Sequence, residues 1–219
     1  ANILSNWGIA PPATNPSAAT GAAGLLNGIY RYRVTFASVT GSESNPNPLD
    51  VTVTATNQQI DLTAIPTSAD SQVTQRRIYR TTGNGATLFL VAIIADNVTT
   101  TYTDNIADGN LNALELKFDN INPRDAAFDF REAVGPHHGR MWWTRDAIAG
   151  QGGRMYYSPK GRPEAVQGFI ELSSHDDGIQ RAIIWNNSLW AVTKQNFLEV
   201  VGTDEPFTWR NVYGSVGTS

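Results

Sequence analysis

The chain has 219 residues, a formal net charge of −4, a hydrophobic fraction of 41% and a charged fraction of 16%. This balance is typical of a folded protein and not of a disordered one. The negative charge argues against general nucleic-acid binding, which depends on clustered Lys and Arg. No cysteine is present, so disulfides and thiolate sites are excluded. The longest apolar run, LFLVAIIA at 88–95, is shorter than the roughly 20 residues of a membrane helix, and no membrane association is expected.

The N-terminal 27 residues hold several prolines and the small-residue tract PSAATGAAGLLNG. They predict an extended lead-in over residues 1–15, with a short edge strand after it. The start of the chain lacks the basic and apolar regions of a signal peptide, and it has no initiator methionine. We therefore expect a mature product or an excised fragment.

Segments in which apolar and polar residues alternate come next, and they predict short β-strands separated by polar turns. These segments are IYRYRVTFASV, LDVTVTAT, QQIDLTAI, QRRIYRTT, ATLFLVAIIA and TTTYTDNI. The second and third are expected to be separate strands joined through Asn57. The fourth and fifth predict a hairpin around Gly83-Asn84-Gly85, because Gly and Asn tolerate the positive φ of tight turns. The regular spacing of these strands predicts a β-sandwich.

Residues 108–124, DGNLNALELKFDNINPR, interrupt this pattern with Asn, Gly and Pro and predict a domain junction. We expect it to separate a β-sandwich over 16–117 from a second domain over 118–219. The first five residues of the junction also resemble a calcium-binding loop. The glycine that such a loop requires at its sixth position is Ala113, and the twelfth residue is Asp119 instead of Glu. A junction loop is therefore the better interpretation.

An internal repeat is visible in the second domain. REAVGPHHGRMWWT (131–144) aligns without a gap over QRAIIWNNSLWAVT (180–193), at an offset of 49. The shared pattern is an apolar strand, a polar tight turn and an aromatic strand, and a period near 50 predicts β-propeller blades. Two units are visible, at 126–172 and 178–213. Closed propellers use at least about four blades, so we expect a partial propeller and a natural chain that continues past Ser219.

Three histidines are the first candidates for a functional site. The alignment places His137-His138 over Asn186-Asn187 in the second unit, at the tip of a hairpin. Asn and Gly occupy such tips because they bend the backbone, so we expect both histidines to lie in a turn and to be dispensable. A metal site would need three or four converging ligands. The alternative is a site built from these two histidines and a second loop, His175, Asp176 and Asp177.

The adjacent carboxylates Asp176-Asp177 raise the question of glycoside hydrolysis. That reaction uses two acids roughly 5–10 Å apart, and Glu171 lies upstream of the pair in the sequence. The segment SSHDDG is also typical of a polar turn between blades, which is the interpretation that we favour. No phosphate-binding loop, Gly-x-Ser-x-Gly motif or catalytic triad is visible. We expect no enzymatic activity and no cofactor.

Aromatic residues are dense in the second domain and could stack on glycans or bases. At strand positions they are more often core residues, since each buries a large area. Trp142 and Trp143 are adjacent and cannot both face inward, so one of them is expected at an edge, an interface or a ligand. The other aromatic residues in this group are Tyr156, Tyr157, Trp185, Trp190 and Trp209.

The first domain resembles the fibronectin type III-like (Ig-like) modules of bacteriophage virion proteins. The resemblance rests on YRYRVTFASVTGSESNPNP and VTQRRIYRTTGNGATLFLVAIIADNVTTTYTDN. The strand that resembles the penultimate strand of the standard module comes first here, which leaves either a permuted strand order or a more distant relative. The second domain resembles the opening blades of β-propellers in phage tail proteins of the nozzle or hub kind. That resemblance rests on GRMYYSPKGRPEAV and FIELSSHDDGIQRAIIWNNSLWAVTKQNFLEVVG.

These resemblances imply a structural component of a phage tail, assembled in the host cytoplasm and located in the virion. The implied partners are copies of the chain in a ring and adjoining tail proteins. DNA would pass through the ring without sequence-specific contacts. The alternative is a glycan-binding or glycan-cleaving protein, borne on a tail or secreted.

Overall fold

The structure is a computed structural model that describes residues 7–144, 146–174 and 176–212. Within these residues the protein is all-β, as the alternating sequence pattern predicts. Thirteen strands form three antiparallel sheets, and the one helical element is a 3₁₀ turn at Asp108–Asn110. The chain divides into two compact units, Ala1–Asn122 and Pro123–Ser219.

The first unit is a single five-stranded sheet that curls into a half-barrel. Its order is β4-β3-β1-β2-β5. The first strand is long enough to pair with β2 along its N-terminal half and with β3 along its C-terminal end. The strands are β1 (Ser17–Ala37), β2 (Val51–Thr63), β3 (Gln75–Thr81), β4 (Leu88–Ile94) and β5 (Tyr102–Asp104).

Two sequence predictions for this unit are wrong. The small-residue tract is not a short edge strand, because it forms the N-terminal half of β1. The two strands expected on either side of Asn57 are one continuous strand, β2. Asn57 takes a φ of 51°, and the register of β1 against β2 shifts between Ala23 and Leu26, which both face Gln58. The polar break in the sequence is therefore a bulge, which bends a strand without ending it.

The predicted junction packs against the edge of the first unit. The backbone N–H of Leu90 donates to the carbonyl of Leu114, and that of Leu116 donates to Leu88, each at 2.9 Å. The Leu116 side chain is buried against Tyr79, Leu88 and Leu90. Residues 111–116 thus cover the edge of β4, which would otherwise expose unpaired backbone groups.

A buried ionic network stabilises the interior of the curl. Arg80 and Asp104 are both fully buried, and Arg80 Nε lies 2.7 Å from Asp104 Oδ2. The Tyr32 hydroxyl donates to the same carboxylate at 2.7 Å, and burial together with this negative charge raises the Tyr32 pKa. Arg80 also donates to Asp108 at 2.6 Å and stacks over the Tyr30 ring at 4.8 Å. Asp108, the first residue of the apparent calcium loop, is thus engaged by an arginine.

The second unit contains two four-stranded meanders. The first sheet consists of β6 (Glu132–His137), β7 (Arg140–Thr144), β8 (Arg154–Tyr157) and β9 (Gly168–Glu171). The second sheet consists of β10 (Arg181–Trp185), β11 (Ser188–Val192), β12 (Phe197–Val201) and β13 (Thr208–Asn211). In each sheet every strand pairs with the next one along the chain.

The two sheets of the second unit pack face to face and are joined at their first strands. Glu132 on β6 accepts a hydrogen bond from the backbone N–H of Ala182 on β10 at 2.8 Å. The core between the sheets includes Trp142, Tyr157, Leu189 and Leu198. A cleft opens between the last strands, β9 and β13. The sheets are therefore close at one end and apart at the other.

Removing the buried Arg80 charge should destabilise the first unit strongly. We expect Arg80→Met to lower the free energy of unfolding by about 3–5 kcal/mol, because Asp104 would be left as an unpaired buried carboxylate. Arg31→Met makes the same chemical change at an exposed position of β1 and should cost less than about 1 kcal/mol. Urea unfolding of both variants measures the difference, and equal costs would contradict a stabilising role for the network.

The first unit should fold without the second. A fragment of residues 7–122 is expected to unfold in one cooperative thermal transition, since its core lies within the unit. A shorter fragment of residues 7–110 lacks Leu116 and the strand-like cover of β4. It should melt about 10 °C lower, because burying one leucine contributes about 2 kcal/mol. An aggregated or unfolded 7–122 fragment would show that the unit depends on the rest of the chain.

Candidate functional site

The histidine segment forms the hairpin between β6 and β7. His138 and Gly139 occupy its two turn positions, with φ values of 48° and 75°. Asn186 and Asn187 occupy the same positions between β10 and β11, with φ values of 49° and 60°. Both turns therefore need residues that tolerate the left-handed region. The hairpin location is as predicted, but only His138 is a turn residue, because His137 is the last residue of β6 and pairs with Arg140.

The turns and the second strands, β7 and β11, correspond at an offset of 48, whereas the part of β6 before the bulge corresponds to β10 at the predicted offset of 49. The register between β6 and β7 shifts between Val134 and His137, and a gapless sequence alignment does not account for this bulge. With the turns superimposed, His138 corresponds to Asn186, and Trp142 corresponds to Trp190. This correction determines which faces of the two sheets are equivalent.

The histidines do not form a metal site among the described residues. The His137 side chain is buried, and its ring centroid lies 4.0 Å from that of His138. Burial, followed by the charge of His138, lowers the pKa of His137. No group of three or more potential metal ligands occurs in the described part of the chain. His175 lies outside the described residues.

Two carboxylates of the second candidate site, Asp177 and Glu171, already have partners. Asp177 accepts hydrogen bonds from Thr193 Oγ1 at 2.8 Å, from Asn196 Nδ2 at 2.9 Å and from the Gln195 backbone at 3.0 Å. Burial alone raises the Asp177 pKa, but these hydrogen bonds outweigh burial and lower it. Glu171 Oε2 lies 3.1 Å from Arg154 Nε. Asp177 therefore holds the loop between β11 and β12 in place, in keeping with the polar-turn interpretation.

Trp142 and Trp143 are both buried, contrary to the expectation that one would be free. They lie on opposite faces of the first sheet, and each face is covered. Trp142 packs between the sheets, with its ring 5.0 Å from the Phe207 ring. Trp143 stacks on Phe130 at 5.8 Å, in a segment that precedes β6. The sequence pattern could not show that this preceding segment returns to cover the second face.

In the described part of the second unit, the exposed tryptophans are Trp185 and Trp209, which lie on opposite faces of the second sheet. Trp185 pairs with Ser188 and shares its face with Trp190. We call this surface the open face; its apolar members are Ile183, Trp185, Trp190, Val192, Phe197 and Val201. Trp190 stacks on Phe197 at 4.8 Å, while Trp185 is 63% exposed. Residues directly opposite each other on antiparallel strands share a face, and so do residues two apart on one strand. These two rules place each of these residues on the open face.

Trp209 faces the cleft between the two sheets. It pairs with Val200, which is part of the core between the sheets, so its ring points toward the first sheet, and it is 45% exposed. We call this space the outer cleft, and its volume is about 640 Å³. Its lining also includes Glu171, Asp177, Asn196 and Asn211.

Sequence reasoning missed the side chains that join the two sheets. Arg140 is buried beside the rings of Tyr157 and Phe207, at 5.6 and 5.5 Å, and lies 3.6 Å from Asp204. Burial, followed by the negative charge of Glu205, raises the pKa of Tyr157 to about 12, so its ring stays neutral. The sequence did contain a signal for the role of Arg140. It is a charged residue at a strand position, between a tight turn and a pair of tryptophans.

No protein-family model matches the chain, and no curated protein matches it either. Within the described residues, no helix has the length and apolar character needed to cross a membrane. Inferences about function therefore rest on the geometry of the open face and of the outer cleft.

The turn role of His138 can be tested by substitution. His138→Asn should leave the stability unchanged, since Asn adopts a positive φ readily. His138→Val should cost about 1–2 kcal/mol, because a β-branched residue is strained there, and Asn186→Val should cost a similar amount at the equivalent turn. Urea unfolding gives these costs.

Thermal unfolding in the presence of Zn²⁺ tests for a metal site at the histidines. A ligand that binds the folded state raises Tm. Because we expect no Zn²⁺ to bind, the natural chain should have the same Tm with and without Zn²⁺. The double variant His137→Asn/His138→Asn serves as the control. A Zn²⁺-dependent rise in Tm that this double variant abolishes would contradict the structural role of the histidines.

Proposed function

We propose that this chain is a structural component of a bacteriophage tail, in the nozzle, hub or connector region. In this proposal the second unit is the start of a β-propeller, and the first is a fibronectin type III-like β-module. The observation that carries the proposal is the open face. It corresponds to the face of the first sheet that contains Trp142, which is buried against the second sheet.

The equivalence of the two faces supports a propeller. Trp142 and Trp190 occupy the same place relative to their hairpin turns, and strand alternation gives each sheet one face that carries this residue. In the first sheet that face is covered by the second sheet, through Phe207 and the core around Leu198. In the second sheet the same face is the open face. Repeating the packing once more would place a third sheet on it.

The composition of the open face favours a protein partner over solvent. Ile183 and Val201 are 41% and 40% exposed, and Trp185 is exposed beside them. Contiguous apolar surface of this kind marks interaction sites, and aromatic residues are enriched at the centre of interfaces. The Arg210–Glu199 ion pair lies at 2.5 Å on the same face, and Glu199 is directly opposite Trp190, so the apolar surface contains one ion pair.

The packing of the two sheets in the second unit suits the ring of blades in a propeller. The sheets meet at their first strands and separate toward their last, which is the arrangement of blades around an axis. Copies of the chain and adjoining tail proteins are the partners that this role requires. The net charge of −4 suits a channel through which DNA passes without being held, because DNA retention depends on clustered positive charge.

Charges placed on the open face should block assembly without unfolding the chain. In a phage genome that encodes the natural protein, we expect Ile183→Asp/Trp185→Glu to abolish tailed particles in electron micrographs. The Tm of the purified variant should fall by no more than a few degrees, since both side chains are exposed. Val98→Asp, at a 78% exposed position of the first unit, should leave tailed particles intact. Normal tails in the double variant, or the absence of the natural protein from purified virions by mass spectrometry, would contradict the proposal.

A further inference from the structure

The outer cleft has the size and the lining of a small-ligand site. Its volume of about 640 Å³ lies within the range of about 300–1,000 Å³ that is typical of such sites. One side of the cleft is the end of β9 and the segment that follows it, the other side is β12, β13 and the loop before β12, and one large aromatic ring lines it. It lies on the face of the second sheet opposite the open face, so a further sheet packed on the open face would leave it accessible.

Trp209 is the apolar surface of this cleft. It is on the last strand of its sheet, at the end where the two sheets separate, and nearly half of its surface is exposed. Two other rings between the sheets, Trp142 and Tyr157, are buried and contact Phe207. A flat indole face beside polar groups suits a ligand that has one apolar and one polar surface.

The polar groups of the cleft are held in place by one another. Asn211 Nδ2 donates to Asn196 Oδ1 at 2.7 Å, and Asn196 Nδ2 donates to Asp177 Oδ2 at 2.9 Å. Ser173 Oγ donates to the Asp177 carbonyl at 2.7 Å. Side chains that are already ordered lose little conformational entropy when a ligand binds. The two amides combine donors with acceptors, which is the chemistry that recognises hydroxyl groups.

We propose that the outer cleft binds an uncharged pyranose unit of an oligosaccharide. The C–H face of the sugar ring would stack on Trp209, and its hydroxyls would bond to Asn196 and Asn211. Glu171 and Asp177 add negative charge to the lining, so sugars that carry carboxylates are disfavoured. This function is independent of the role in assembly, because the residues of the cleft are not those of the open face.

The cleft binds a sugar without cleaving it. Hydrolysis of a glycosidic bond needs one carboxylic acid to protonate the leaving oxygen and a second carboxylate to act on the other side. Both oxygens of Asp177 accept hydrogen bonds from the loop between β11 and β12, and Glu171 is paired with Arg154. Neither carboxylate is placed as a free acid.

Saturation-transfer NMR and calorimetry with neutral oligosaccharides test the site. The probes are maltohexaose, cellohexaose, chitohexaose and mannohexaose, with an alginate hexamer as the acidic comparison. We expect millimolar or tighter binding of at least one neutral probe, weaker binding of alginate, and no change in chain length of the bound probe. Trp209→Ala should weaken binding at least about tenfold through loss of stacking, and Trp209→Phe should retain part of it.

Trp185→Ala is the matched control, because it removes an exposed tryptophan from the opposite face of the same sheet. It should bind the probe as the natural chain does, and thermal unfolding establishes that each variant is folded. Failure of all four neutral probes to bind would overturn the proposal. So would equal affinity in Trp209→Ala, or tighter binding of alginate. The assembly test uses substitutions of Ile183 and Trp185 and counts tailed particles. A failure to bind sugar would therefore leave the outcome of the assembly test unchanged.

Discussion

A β-sheet with apolar residues on both faces has to be covered twice, and this constraint organises the second unit. Alternate side chains point to opposite faces, so the neighbours Trp142 and Trp143 need two separate covers. One is the second sheet, through Phe207, and the other is the segment that contains Phe130. The second sheet has the same need, and within the described residues only its inner face is covered. The uncovered side is the open face.

The first unit meets the same constraint by curling. Its five strands enclose one core, with Leu26, Tyr30, Ile60 and Ile78 among the buried members. Curling brings polar strand residues into the interior, and Arg80 is one of them. An isolated buried guanidinium would be costly, so its bonds to two aspartates and its stacking on Tyr30 are part of what makes the curl stable.

The wedge between the two sheets of the second unit gives the protein two different surfaces. Where the sheets meet, Glu132 and Ala182 hold the first strands together and the rings between the sheets are buried. Where they separate, the last strands expose Trp209 to a polar cleft. The hydrogen bonds of Asp177 to the loop between β11 and β12 tie together the two sides of that cleft. The open face and the outer cleft, to which we assign the two proposed functions, therefore lie on opposite faces of one sheet.

The sequence by itself determined the all-β class, the hairpins at Gly83–Gly85 and at the histidines, and the turn at Asp176-Asp177. These features depend on local rules, which are strand alternation and the tolerance of Gly and Asn for positive φ. It also showed that the second unit contains a repeat, although the bulge before His137 shifted the alignment by one residue.

Only the tertiary structure decided which residues come together from distant positions. The sequence predicts a strand break at Asn57, yet pairing with β1 on both sides of Asn57 keeps β2 continuous. The exposure of Trp209 and the burial of Trp143 depend on which segments pack over each sheet face. Local patterns assign a residue to a face, but they contain no information about what covers that face, because the cover comes from elsewhere in the chain.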